Sequence, residues 1–228
     1  MDELKFRHET KHWITYSDYL AIRSRLKIIA KQDPHVLLDG RYRIRSIYFD
    51  NYNDKILREK TDSVNLREKF RIRYYNDDTS VINLEKKSKI NGLSNKLSTR
   101  ITKDQVFELL QGNNEILKDQ NNALMEELYL KMHSQLLKPK VIVDYVREPY
   151  LYEPGNVRIT FDMGIRSGIY SKAFFSQNIP LINTVDQGIM VMEVKYDEFL
   201  PEIIALLIQV NERKGTSVSK YELCRRIG

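Results

Sequence analysis

The sequence predicts an α+β fold, an antiparallel β-barrel tunnel with flanking helices, and three observations lead there. Seven or so segments alternate polar and apolar residues with the two-residue period of half-buried strands. Lys and Arg recur on the polar face of most of them. Helical patterns fall between and after the strands. Side by side on a flat sheet so many cations repel one another, whereas a closed sheet turns its apolar faces outward under helices and its charged faces inward. Such a sheet encloses a water-filled tunnel lined by Arg and Lys, and a polyanionic ligand would neutralise it.

In chain order, Lys5 to Thr15 sets Arg7, Glu9 and Lys11 on one face, opposite Phe6, His8, Thr10 and His12. Ser17 to Ala30 has helical spacing, with Ser17 as its expected N-cap and Pro34 beyond its end. Arg41 to Phe49 groups Arg41, Arg43 and Arg45, the face expected to look inward, opposite Tyr42, Ile44, Ser46 and Tyr48. Phe70 to Tyr75 sets Lys69, Arg71 and Arg73 against Phe70, Ile72 and Tyr74. Ser80 to Ile90 groups Glu85, Lys87 and Lys89, and Asn91-Gly92 then turns the chain into Leu93 to Ile101, which carries Lys96. Thr102 and Gln105 form a capping box for a helix that ends at Gly112, and a second helical pattern runs from about Glu115 to Leu137. Val141 to Glu148 puts Tyr145 and Arg147 opposite Asp144 and Glu148. Val157 to Asp162 puts Arg158, Thr160 and Asp162 together, and Ile189 to Tyr196 does the same for Glu193 and Lys195. Helices are expected over Phe199 to Glu212 and, with a Ser219/Glu222 box, Ser219 to Arg226.

The 228 residues carry 37 Lys and Arg against 31 Asp and Glu, a formal net charge of +6. That excess fits an anionic ligand or an ordinary solvated basic surface. No linker or composition shift divides the chain, so one domain over residues 1–228 is expected. The single cysteine, Cys224, excludes an intramolecular disulfide framework and a cysteine-based zinc site, and points to a reducing compartment, the cytosol. Met1 to Lys11 has no apolar core and reads as no secretory signal. The longest apolar run, Ile203 to Val210, is far short of the roughly 20 residues a span requires, so membrane attachment would come through a partner protein.

Neither a Walker A loop nor Gly-x-Gly-x-x-Gly is present. His8 and His12 lie on a strand, where a spacing of four does not make a helical zinc pair, and Cys224 reads as a structural thiol. Single-stranded nucleic acid is disfavoured because most strand aromatics fall opposite the Arg residues, where they could not stack on bases. Glu9-Lys11, Glu85-Lys87 and Glu193-Lys195 each share a strand face. As ion pairs they would be worth little. As oxygen donors the three glutamates suit Mg2+ or Mn2+ bridging protein to phosphate.

Arg7-His8-Glu9-Thr10-Lys11, Arg45-Ser46-Ile47-Tyr48-Phe49-Asp50, Lys69-Phe70-Arg71-Ile72-Arg73-Tyr74-Tyr75 and Leu84-Glu85-Lys86-Lys87 resemble the VTC domain of polyphosphate polymerases. So do Tyr145-Val146-Arg147, Val157-Arg158-Ile159-Thr160-Phe161-Asp162, Met192-Glu193-Val194-Lys195 and Ser219-Lys220-Tyr221, in order along nearly the whole chain. The resemblance implies the CYTH-like triphosphate tunnel fold and transfer of the ATP γ-phosphoryl group to a growing polyphosphate chain, with Mn2+ or Mg2+ required. It implies catalytic roles for Lys11, Arg71, Arg73, Lys87 and Arg158, and phosphate contacts from these and from Lys69, Lys96, Arg147, Lys195 and Lys220. Glu193 would be the principal metal ligand, with Glu85 and Glu9 beside it. ATP and inorganic polyphosphate are the implied partners, not nucleic acid. Two departures stand out: the superfamily's first-strand Glu-x-Glu-x-Lys is here Arg7-x-Glu9-x-Lys11, and Ser217 replaces a lysine of the eukaryotic members, which implies thinner contacts where the chain leaves. Hydrolysis of a triphosphate in the same tunnel, or polyanion binding without turnover, remain the alternatives.

Overall fold

A computed structural model describes residues 6–118, 120–169, 171–209 and 216–227. Among these residues ten strands form one antiparallel sheet: β1 (His8–Thr15), β2 (Lys31–Gln32), β3 (Tyr42–Asp50), β4 (Leu66–Tyr75), β5 (Asp78–Ile90), β6 (Leu93–Arg100), β7 (Lys138–Tyr152), β8 (Val157–Gly168), β9 (Ile182–Asn183) and β10 (Ile189–Tyr196). Eight follow the path β1-β10-β8-β7-β3-β4-β5-β6, while β2 pairs with β7 and β9 with β8. The path's two ends meet where the backbones of Arg7 and Ser94 exchange hydrogen bonds of 3.2 and 3.3 Å. The sheet thus curls into a tunnel whose seam, among the described residues, is one bridge wide. Asn91 and Gly92 both take positive φ, 46° and 88°, which lets a two-residue turn follow the strand twist between β5 and β6.

Among the described residues six α-helices flank the sheet: α1 (Tyr16–Ile29), α2 (Lys55–Thr61), α3 (Lys103–Gln111), α4 (Ala123–Ser134), α5 (Glu202–Leu207) and α6 (Lys220–Arg225). On one side, Tyr19, Ile22 and Leu26 of α1 and Ile204 of α5 pack on Ile159, Phe161, Met192 and Val194. On the other, Val106 and Leu109 of α3 and Met125 and Leu128 of α4 join Phe70, Ile72 and Leu84. Each such side chain, fully buried, contributes about 1.5–3 kcal/mol.

Several boundaries differ from expectation. Helix α1 begins earlier because β1 runs straight into it, so Thr15 rather than Ser17 is the cap: Thr15 Oγ1 accepts from the Asp18 amide at 3.3 Å and the Asp18 carboxylate accepts from the Thr15 amide at 2.8 Å. The pattern from Glu115 to Leu137 is not one helix. Asn114–Leu117 forms a 3-10 turn, and Asn122 starts α4 by accepting from the amides of Leu124 and Met125. Of Phe199 to Glu212 only Glu202–Leu207 is α-helical, after Pro201 at the cap, and residues 210–212 lie outside the described ones. Helix α2 has no sequence forecast. Buried Asp50 anchors it, accepting from the amides of Ile56 (3.0 Å) and Leu57 (3.2 Å) and also from the Tyr221 hydroxyl of α6.

The largest correction is the orientation of β3. Arg41, Arg43 and Arg45 do not face the lumen; Tyr42 and Tyr48 do. The arginines meet carboxylates that β7 presents on its outer face. Arg45, 1% exposed, donates to Asp144 at 2.9 Å and to the carbonyls of Phe174 and Ser176. Arg43 and Arg166 also pair with Asp144, while Arg41 and Arg23 pair with Glu148. Asp144 and Glu148 are wholly buried, so their need for counter-charge fixes which way β3 turns.

Candidate functional site

The curled sheet encloses a cavity of about 500 Å³. The structure brings to its wall Lys11, Lys69, Arg71, Arg73, Lys87, Lys96, Arg147, Arg158, Lys195 and Lys220, together with Glu9, Glu85 and Glu193. Among the described residues fourteen Lys and Arg against three Glu line the cavity, so the excess of positive charge they bring inside is larger than that of the whole chain.

These groups sort into networks that the strand register sets. In the first, Arg71 donates to Glu85 at 2.6 Å and to the Tyr48 hydroxyl at 2.8 Å, and Lys96 reaches Glu85 at 3.3 Å. Arg73 donates to Ser46 Oγ at 2.9 Å and to the Tyr145 hydroxyl at 3.3 Å. In the second, Glu9 lies between Lys11 and Lys87, each at 2.6 Å, and Glu193 is met by Lys195 at 2.6 Å, Lys220 at 3.6 Å and Lys11 at 4.0 Å. Behind them Asp162 takes both arms of Arg147 at 2.6 and 2.8 Å and also pairs with Lys220. Glu85 and Lys87 therefore part: Glu85 joins the arginines, Lys87 crosses to Glu9.

Electrostatics follow from these partners. Burial and Glu193 push the Glu9 carboxyl up, but Lys87 and Lys11 overcome both and hold it well below the usual carboxylate range. Burial likewise opposes ionisation of Glu193, and Lys195, Lys11, Lys220 and Arg147 hold it well down. Burial lowers Lys87 to about 8 despite Glu9. Lys69 falls to about 7, through burial first and then through Lys11, Lys87, Arg67 and Lys60.

As oxygen donors, Glu9 and Glu193 both meet Lys11, at 2.6 and 4.0 Å, and the charge of Glu193 opposes ionisation of Glu9, whereas Glu85 belongs to the arginine network. Among the described residues no group of three or more His, Cys, Asp or Glu forms a ready cage. Two carboxylates, with phosphate oxygens completing the shell, is the mode in which Mg2+ is usually held. The donor set fits a divalent ion in that way.

Several wall residues lay outside the sequence forecast. Arg67 continues the alternation of Arg71 and Lys69 by one more step, so the signal was in the pattern, while Lys89 is grouped with Glu85 and Lys87 in the sequence but not counted there as a site residue. Lys60 comes from the unforeseen α2 and donates to Ser217 Oγ at 2.9 Å, placing a cation at the position where loss of a lysine implied thinner contacts. Asp33, before β3, accepts from Arg158 at 2.7 Å, and the Tyr42 hydroxyl accepts from the same guanidinium at 2.9 Å. Tyr42, Tyr48, Tyr75, Tyr145 and Tyr221 also line the lumen, so aromatics are not confined to the face opposite the arginines. Their hydroxyls and rings hold cations: Lys69 lies 5.5 Å from the Tyr221 ring and Lys220 5.1 Å from that of Tyr145.

A curled antiparallel sheet around an Arg- and Lys-lined cavity defines a triphosphate tunnel protein. The VTC domain matches residues 6–227, and the chain belongs to that family. Among solved structures it is similar to a Hippeastrum protein described as a candidate adenylyl cyclase with a dominant triphosphatase activity, at TM-score 0.58 and 14% identity over 96% of this chain and 95% of that one. It is also similar to a candidate adenylate cyclase from Bacillus halodurans, at TM-score 0.52 and 15% identity over 90% and 87% of the two chains. No curated protein matches. At such identities the likeness establishes the shared fold.

Proposed function

We propose that this chain is a metal-dependent polyphosphate polymerase that transfers the γ-phosphoryl group of ATP to the end of a polyphosphate chain held in the tunnel. The observation that carries the reading is the lumen of a VTC-family domain walled by cations, with every glutamate on that wall already tied to Lys or Arg. In the reaction an oxygen of the acceptor's terminal phosphate forms the new P–O bond while the bond from the γ-phosphorus to the bridging oxygen breaks, and ADP leaves with that electron pair. The acceptor oxygen is ionised near neutral pH, so no general base is needed. Positioning and neutralisation of spreading charge suffice.

Arg71 and Arg73, held by Glu85, Ser46 and two tyrosine hydroxyls, present fixed forks to phosphate oxygens. Lys11, Lys87, Lys96, Lys195 and Lys220 add point charges, Arg147 is oriented by Asp162, and Arg158 exchanges Asp33 for a phosphate. Glu193 and Glu9 would hold Mn2+ or Mg2+, which supplies further neutralisation of the transferring group when bound. ATP and inorganic polyphosphate are the partners in this reading, with no nucleic acid, and the domain works in the cytoplasm, any attachment to a membrane coming through a partner protein. No described helix is long and apolar enough to cross one.

The test is incubation of the purified chain with γ-labelled ATP and Mn2+, with products resolved on a gel beside a Glu193→Ala control. A metal-dependent ladder of labelled polyphosphate, lost in the variant, is expected. Free labelled phosphate without a ladder would replace the reading with hydrolysis, the activity described for the Hippeastrum protein of the same fold.

A further inference from the structure

The register between β4 and β5 sets three rungs of lumen charge against one another. At the innermost, Arg71 faces Glu85 and the two form an ion pair. At the next, Lys69 faces Lys87, and at the outermost Arg67 faces Lys89. Like charges directly opposite destabilise a sheet, and while Glu9 answers Lys87 of the middle rung at 2.6 Å, the outermost rung is arranged for something the chain itself does not supply.

Helix α2 adds Lys60 to the same mouth, hydrogen-bonded to Ser217 and 3.9 Å from Glu222. Arg67 donates to the Lys60 carbonyl, and among the described residues neither Arg67 nor Lys89 has a carboxylate within ion-pairing distance. The far end of β4 is built otherwise. There Tyr75 packs edge-on against Tyr42, whose hydroxyl accepts from Arg158, and Arg158 already carries a carboxylate, Asp33. From Arg67 to Arg73 the alternate cations of β4 extend over roughly 20 Å of strand.

We propose that Lys60, Arg67 and Lys89 form a second phosphate site at this mouth, which takes phosphates beyond those held at Arg71 and Arg73, so that a long polyphosphate leaves the tunnel here and not past Asp33. The site rests on the proposed function for the identity of its polyanion. Its geometry is independent of whether the chain is synthesised or cleaved.

The experiment compares calorimetric titrations of inorganic tripolyphosphate and of long-chain polyphosphate into the full chain, wild type and K60Q/K89Q. The double variant is expected to weaken long-chain binding tenfold or more, to leave tripolyphosphate within about twofold, and to reduce the long-chain slope of log Kd on log salt by roughly two. Among the described residues Lys89 makes no hydrogen bond or close ion pair that the change would break, so the single variant K89Q, expected to show a smaller selective loss, guards against misfolding of the double. Equal loss for both ligands, or loss for neither, overturns the site. Selective tightening of long-chain binding in D33A, with K60Q/K89Q unchanged, would place the exit at the opposite mouth and overturn it too. Tight long-chain binding with the predicted selectivity but no ladder from ATP would sink the polymerase reading and leave the site standing.

Discussion

Lys69 is where residue-scale chemistry is most exposed to test. Burial and four neighbouring cations lower it to about 7, and it donates to a hydroxyl, Ser219 Oγ, at 3.1 Å. A bound phosphate favours the charged form, so binding raises this pKa and takes up a proton above pH 7. Lys87, at about 8, adds to the effect. Affinity for tripolyphosphate should therefore fall as pH rises from about 7 to 9, and titrations in buffers of different ionisation enthalpy should register net proton uptake. K69R, ionised throughout, should flatten the profile while still binding; an equally steep profile in K69R would remove Lys69 as its cause. For the free protein the sign is opposite. The depressed folded-state pKa makes Lys69 cost stability at neutral pH, and that cost shrinks as pH rises from about 7 towards the ordinary lysine value.

At the scale of elements, alternation made the lumen faces of β4, β5, β8 and β10 legible, because on each the charged set stands opposite a set with apolar side chains that must be covered, and β1 was legible from its charges alone. β3 was not legible in the same way. Both of its faces have something to bury, three arginines on one and Tyr42, Ile44, Ser46 and Tyr48 on the other, and the choice is made about a hundred residues later by Asp144 and Glu148. Their position opposite Arg147 on β7 was the available clue. Helix α2 escaped because its anchor is the side chain of Asp50, four residues before the nominal cap at Asp54. The two classes of arginine should then respond differently to removal. R45A takes one of three arginines from wholly buried Asp144 and a donor from the Phe174 and Ser176 carbonyls, and should cost about 1–3 kcal/mol or more in urea unfolding. R158A removes a partly exposed lumen group and should lower anion affinity at least tenfold with little change in the unfolding midpoint. Comparable destabilisation by both would contradict the assignment of inner and outer faces.

Over the whole molecule, charge is partitioned rather than merely in excess. The lumen holds more net positive charge than the chain does, which leaves the remainder of the protein net negative. The free tunnel therefore stores self-repulsion, partly relieved by Glu9, Glu85 and Glu193, and its seam at Arg7 and Ser94 is, among the described residues, one bridge wide. An anion that fills the lumen removes that repulsion and binds only the folded state. At a hundredfold excess over Kd, mass action adds about 2.7 kcal/mol, which for a chain of this size raises Tm by roughly 5 to 10 °C. Tripolyphosphate should produce such a rise, and sodium chloride at equal ionic strength a much smaller one, since screening acts without occupying the forks of Arg71 and Arg73. Amide exchange at Arg7 and Ser94 should slow in the same samples, because closing the lumen around an anion holds the two edge strands together. A rise in Tm matched by sodium chloride alone, with no added protection at the seam, would mean that the charges are a screened surface and not a binding tunnel.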